Sequence, residues 1–138
     1  MHTRPTFLAA CLSWALLVAA PMPALAQARA LAAQTSSERG VTIKVTPKSL
    51  GARDGRWEFS IVLDTHSAEL RDDLTQSASL STGDGRSFRP VSWTGASPGG
   101  HHRLGVLAFE VPAPPPAVLE LQIVRPDESV PRTFRWQL

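Results

Sequence analysis

Beyond residue 40 the sequence predicts an all-β domain, an immunoglobulin-like antiparallel β-sandwich of about seven strands, with a small β-barrel as the alternative. Three observations lead there. Apolar residues recur at every second position in several short runs, as half-buried strands require. Turn-forming Gly, Pro and Asp-Gly residues separate those runs at intervals of roughly ten residues. No stretch of this region sustains the period of a long helix.

Val41, Ile43 and Val45 alternate with Thr42, Lys44 and Thr46, which predicts a strand stopped by Pro47. Asp54-Gly55 marks a turn, and Trp57, Phe59, Ile61 and Leu63 then form the strongest strand pattern, expected to cross the middle of the core. Ser67 is placed to cap a short helical turn, with Glu69 in its first turn and Leu70 and Leu74 on one face. Ala78 to Thr82 and Phe88 to Trp93 flank Gly83-Asp84-Gly85 as a hairpin. Gly95 to Gly100 reads as a loop and Leu104 to Val111 as a strand. Pro112 and Pro114-Pro115-Pro116 lack ladder donors and predict an extended connection. Val118 to Val124 gives a further strand with Leu119, Leu121 and Ile123 on one face, and Phe134, Trp136 and Leu138 close the pattern. Trp57, Trp93 and Trp136 fall in these strands and are expected to pack the core; an exposed row of them would instead suggest a carbohydrate platform.

Residues 1–26 read as a secretory signal peptide. His2 and Arg4 make a positive n-region, Phe7 to Ala20 an apolar run too short to span a bilayer, and Ala24-Leu25-Ala26 the small residues before a cleavage ahead of Gln27. Leu8-Ala9-Ala10-Cys11 has the residue types of a lipoprotein box, but too few apolar residues precede Cys11 for it to serve as one. Cleavage would remove Cys11, Met1 and Met22, leaving no disulfide, thiolate or thioether in the exported chain and no stable membrane anchor. Residues 27–40 are rich in Ala, Ser and Gln and are expected to form a flexible leader to a single domain over 41–138. Arginine predominates over lysine, and the signal is rich in alanine, a composition that points to a bacterial protein of the periplasm or cell exterior. Formal charge is close to balanced, with 14 basic and 12 acidic residues and the arginines scattered, so no nucleic-acid surface is indicated.

The chemistry-bearing residues narrow to two loops. Gly95-Ala96-Ser97-Pro98-Gly99 matches the nucleophile-elbow pattern, yet Pro98 has no N–H to donate to an oxyanion, so a serine hydrolase is excluded. Asp72-Asp73 and Asp84 lack the alternating donors of a calcium loop and read as solvated or capping groups. The exported chain's histidines fall in two clusters, Asp64-Thr65-His66-Ser67 and Gly99-Gly100-His101-His102-Arg103, both at strand ends. If the clusters meet at one rim, His66, His101, His102 and Asp64 are candidate ligands for Zn²⁺ or Cu²⁺. Adjacent residues of an extended chain point to opposite faces, which opposes ligation of one ion by both His101 and His102. The plainer expectation is that the imidazoles bond loop backbone, with Asp64 orienting one ring.

Leu63-Asp64-Thr65-His66-Ser67, Asp73-Leu74, Pro90-Val91-Ser92-Trp93 and Gly99-Gly100-His101-His102-Arg103, followed by Gly105-Val106-Leu107, together resemble a family of small exported proteins of bacteria and archaea. The likeness runs from about Val41 to Phe109 and implies an exported domain in which the two His clusters form one signature. It implies no activity. The functional expectation is a non-catalytic binding module that meets an extracytoplasmic protein or small ligand through the His-bearing rim. The alternative is a periplasmic divalent-metal protein using the same residues, with a metal hydrolase on that rim as the one enzymatic reading.

Overall fold

The computed structural model describes residues 31–50 and 54–138. The expected signal peptide and residues 27–30 of the expected leader lie outside that range. The described residues form β1 (Gln34–Glu38), β2 (Val41–Ser49), β3 (Arg56–Thr65), α1 (Leu74–Ser77), β4 (Ala78–Thr82), β5 (Ser87–Phe88), β6 (Ser92–Gly95), β7 (His102–Glu110), β8 (Val118–Ile123) and β9 (Arg132–Gln137). They make two open antiparallel sheets, β1-β2-β3-β7-β6 and β5-β4-β8-β9, consistent with a β-sandwich rather than a closed barrel. No described helix is long and apolar enough to cross a membrane.

The alternation that predicts the strands also assigns their faces. In β3 Trp57, Phe59, Ile61 and Leu63 point inward and are buried, while Glu58, Ser60, Val62 and Asp64 line the outer face. Opposite them lie Leu80 of β4, Leu119, Leu121 and Ile123 of β8, and Phe134 and Trp136 of β9. Phe59 sits at the centre, edge-on to Phe109 with ring centroids 5.9 Å apart and 5.6 Å from the Trp136 ring. Each such side chain contributes about 1.5–3 kcal/mol by leaving water, and this burial is the main force joining the sheets.

Four local expectations give way. Gln34–Glu38, assigned to the leader, forms an edge strand in full register with β2. Its far side meets β9, where the Gln34 carboxamide donates to the Arg135 carbonyl and accepts from the Arg135 N–H (3.1 Å), while Trp136 Nε1 donates to the Ala32 carbonyl (2.8 Å). β2 continues through Pro47 to Ser49, because a register shift between these two residues lets the ladder tolerate a residue without an N–H. The helical turn starts at Leu74 and is capped by Asp73, whose side chain accepts from Thr75 N, rather than by Ser67. Ahead of it Leu70 exchanges backbone bonds with Gly99 and Gly100, which holds that segment extended. Finally, Phe88 to Trp93 is two strands: β5 pairs with β4 and β6 with β7, with Arg89-Pro90-Val91 carrying the chain from one sheet to the other.

At one end of the sandwich gather the β1–β2 turn, the β3–α1 segment 66–73, the β6–β7 loop 96–101 and the β8–β9 loop 124–131. The first and last contain non-glycine residues with positive φ. Arg39 (φ 50) and Gly40 (φ 75) make a two-residue hairpin turn, and Pro126-Asp127 (φ 61) a four-residue turn closed by Glu128 N to Arg125 O at 3.2 Å. Both are turn types in which glycine or asparagine is the unstrained choice at the left-handed position.

Candidate functional site

Both His clusters lie at this end. Asp64 and His102 are register partners on the outer face of β3 and β7, and His102 Nδ1 is hydrogen-bonded to Asp64 Oδ1. His66 and His101 are exposed, and the His101 carbonyl accepts from Thr65 N at 2.9 Å. The expected orientation of one ring by Asp64 is therefore present. The imidazoles themselves make no hydrogen bond to loop backbone among the described residues; the backbone of the loop does that work instead. Nor, among the described residues, do three His, Cys, Asp or Glu side chains assemble into a group able to hold a metal ion. Of His66, His101, His102 and Asp64, the structure pairs His102 with Asp64 and leaves His66 and His101 exposed.

The residues that build the rim are others. Arg103, next to His102, points inward and is 1% exposed. Its guanidinium donates to the carbonyls of Asp72 (2.6 Å), Leu70 (3.4 Å) and Ala96 (3.2 Å), so one side chain ties segment 66–73 to loop 96–101. Burial pulls this guanidinium below its ordinary value, against the pull of Asp72 and Asp73. It lies 5.7 Å from the Trp93 ring, whose Nε1 also donates to the Ala96 carbonyl at 2.9 Å. The indole fits because Gly95 and Gly105 face each other beneath it; a Cβ on Gly105 would fall 2.5 Å from Trp93 Cζ2.

Asp72, expected to be solvated, is fully buried; its carboxylate accepts two hydrogen bonds from Arg125, at 2.8 and 3.1 Å. The chain of charges continues through Arg125 to Glu128 (3.1 Å) and from Glu128 to Arg132, at 2.7 Å from both Nε and Nη2. Arg132 then donates to the Glu38 and Val41 carbonyls and to Ser36 Oγ, fastening the first hairpin to sheet β5-β4-β8-β9. The Arg132 hydrogen bonds hold the Glu128 carboxyl below the usual carboxylate range, and Glu128 in turn raises Arg132. Asp73 and Asp84 do act locally, as the α1 cap and in the β4–β5 turn.

A signal for these arginines exists in the strand pattern. Arg103 precedes Gly105, Leu107 and Phe109 on the inward parity of β7; Arg125 follows Leu119, Leu121 and Ile123; Arg132 precedes Phe134 and Trp136. Each extends an apolar alternation by one step at the rim end. Compared with protein-family models, with curated proteins and with solved structures, the chain gives no match in any of the three.

Proposed function

We propose that this chain is an exported, non-catalytic binding module that engages an extracytoplasmic protein or small ligand through the rim carrying His66, His101 and His102. One observation carries the reading: the loops of that rim are fastened from inside by Arg103, Arg125 and Arg132, while its three imidazoles stay exposed and share a single polar contact among the described residues. Fixing loop backbone beforehand lowers the ordering cost of association and leaves the outward donors and acceptors free for a partner.

The sandwich, on this proposal, is immunoglobulin-like. Lettered A, B, C, C′, D, E, F, G from β2 to β9, the sheets read A-B-E-D and C′-C-F-G, the connectivity of an immunoglobulin-like sandwich with β1 added at the edge. In antibody variable domains of that architecture the B–C and F–G loops contribute to the binding end. The equivalent segments here, 66–77 and 124–131, frame the histidine rim. Export to the periplasm or beyond is supported by the n-region, apolar run and Ala24-Leu25-Ala26 of residues 1–26.

The test is photo-crosslinking in the source cells, with the reactive residue at position 101 or, at the opposite end, at position 85 of the full chain. A discrete adduct from 101 that is absent from 85 is expected. Equal adducts from both positions would remove the rim's role. Saturable binding of Zn²⁺ or Cu²⁺ at micromolar concentration, lost in His66→Ala, would replace this reading with the metal-binding one.

A further inference from the structure

Between the β1–β2 turn, segment 66–73 and the β8–β9 loop lies a groove of about 520 Å³. Val41 and the Arg125–Glu128 pair contribute to its base, and Arg39, Glu69, Arg71 and Asp127 to its walls. Its charges balance: three guanidinium groups, of Arg39, Arg71 and Arg125, against three carboxylates, of Glu69, Asp127 and Glu128. Four of the six bind each other, Arg125 with Glu128 and Arg71 with Glu69, which leaves Arg39 and Asp127 to meet a ligand that carries one charge of each sign.

Arg39 and Asp127 single out where those charges go. Both have the left-handed backbone, at φ 50 and 61, in turns where glycine would sit without strain. Both are exposed, and neither side chain makes a hydrogen bond or ion pair with another described residue. A charged residue in the left-handed region without an internal partner points to a role outside the fold, more strongly for Arg39 than for Asp127, since Asp adopts this region more readily. Glu69 and Arg71, bonded to each other at 2.7 Å, line the same groove as an exposed ion pair.

We propose that this groove binds a short zwitterionic peptide, Arg39 taking its carboxylate and Asp127 its ammonium group. The volume lies within the range of about 300–1,000 Å³ usual for small-ligand sites, more than a single free amino acid fills. The site shares segment 66–73 with the histidine rim but none of its histidines, so the two readings stand or fall separately.

Isothermal titration of the full exported chain with triglycine tests it, with glycine as the free amino-acid arm. N-acetyl-triglycine and triglycine amide, each lacking one terminal charge, complete the set. Saturable binding of triglycine is expected, with glycine and each blocked peptide weaker by about tenfold or more. Arg39→Gly and Asp127→Gly should each weaken triglycine by about tenfold while Tm holds or rises, since glycine relieves the strained backbone. Absence of saturable binding at millimolar triglycine, equal binding of the blocked peptides, or unchanged affinity in both glycine variants overturns the proposal. So does a fall of Tm in those variants, which would make the two side chains structural. None of these results bears on crosslinking from position 101.

Discussion

Two adjacent residues at the rim, His102 and Arg103, are set in opposite environments by the pleat of a single strand. His102 faces solvent with Asp64 as its polar partner, and its side chain is 64% exposed. Arg103 faces the core, where it binds three carbonyls and stacks against an indole. The same contrast separates the histidines as a group from Asp72, Arg125, Glu128 and Arg132. Polar side chains at this end include a buried set that fastens the loops from within and an exposed set that makes few internal contacts. The residues of greatest chemical interest by type are therefore not the ones that hold the site together.

This division is most open to attack at Asp72. Asp72→Ala leaves the Arg125 guanidinium buried beside a lost partner and should cost about 3–5 kcal/mol in urea denaturation. Asp72→Leu combined with Arg125→Leu should recover most of that loss, because no uncompensated charge then remains. Gly105→Ala attacks the Trp93 stack instead. Its Cβ would meet Trp93 at 2.5 Å and Gly95 Cα at 2.8 Å, for an expected loss of about 1–3 kcal/mol with a shifted tryptophan emission spectrum.

Acid should sharpen the contrast. Glu128 titrates lower in the folded chain than its ordinary value of 4.5, chiefly through the hydrogen bonds from Arg132. Its contribution is complete above that ordinary value and is lost as pH falls through the folded one. The urea midpoint should therefore drop on acidification below about pH 4.5, and Glu128→Gln should flatten that part of the profile. The smallest effect belongs to the outer set: replacing His66, His101 and His102 together with alanine should change stability by no more than about 0.5–1 kcal/mol, as expected for exposed positions and one surface hydrogen bond. A larger loss would move the histidines to the structural side of the division.

Alternating apolar residues made β2, β3, β4, β8 and β9 readable because each has one face on the core and one in water. β1 escaped because Gln-Thr-Ser-Ser-Glu carries no such alternation; its ladder with β2 and its side-chain bonds to β9 and Arg132 are invisible to hydropathy. Pro90 was the unused clue that Phe88 to Trp93 changes sheets. For the site, the meeting of the two His clusters at one rim and the Asp64 contact to one ring were legible from strand ends alone. The buried arginines were not, since arginine is usually exposed and the Asp72 partner of Arg125 lies 53 residues away in sequence. Continuing the inward parity by one step of two residues, from Gly105, Ile123 and Phe134, reaches all three.

The Gln34 carboxamide, bonded to both the N–H and the carbonyl of Arg135, stands in for a residue of a neighbouring strand. Sheet edges with unpaired backbone groups are templates for a foreign chain, and in most sandwiches charge, proline or a bulge discourages such pairing. Here one amide side chain occupies that pair of groups on the β9 edge while the segment bearing it runs along β2. At that position the contact that ties β1 to β9 also takes the place a foreign strand would need.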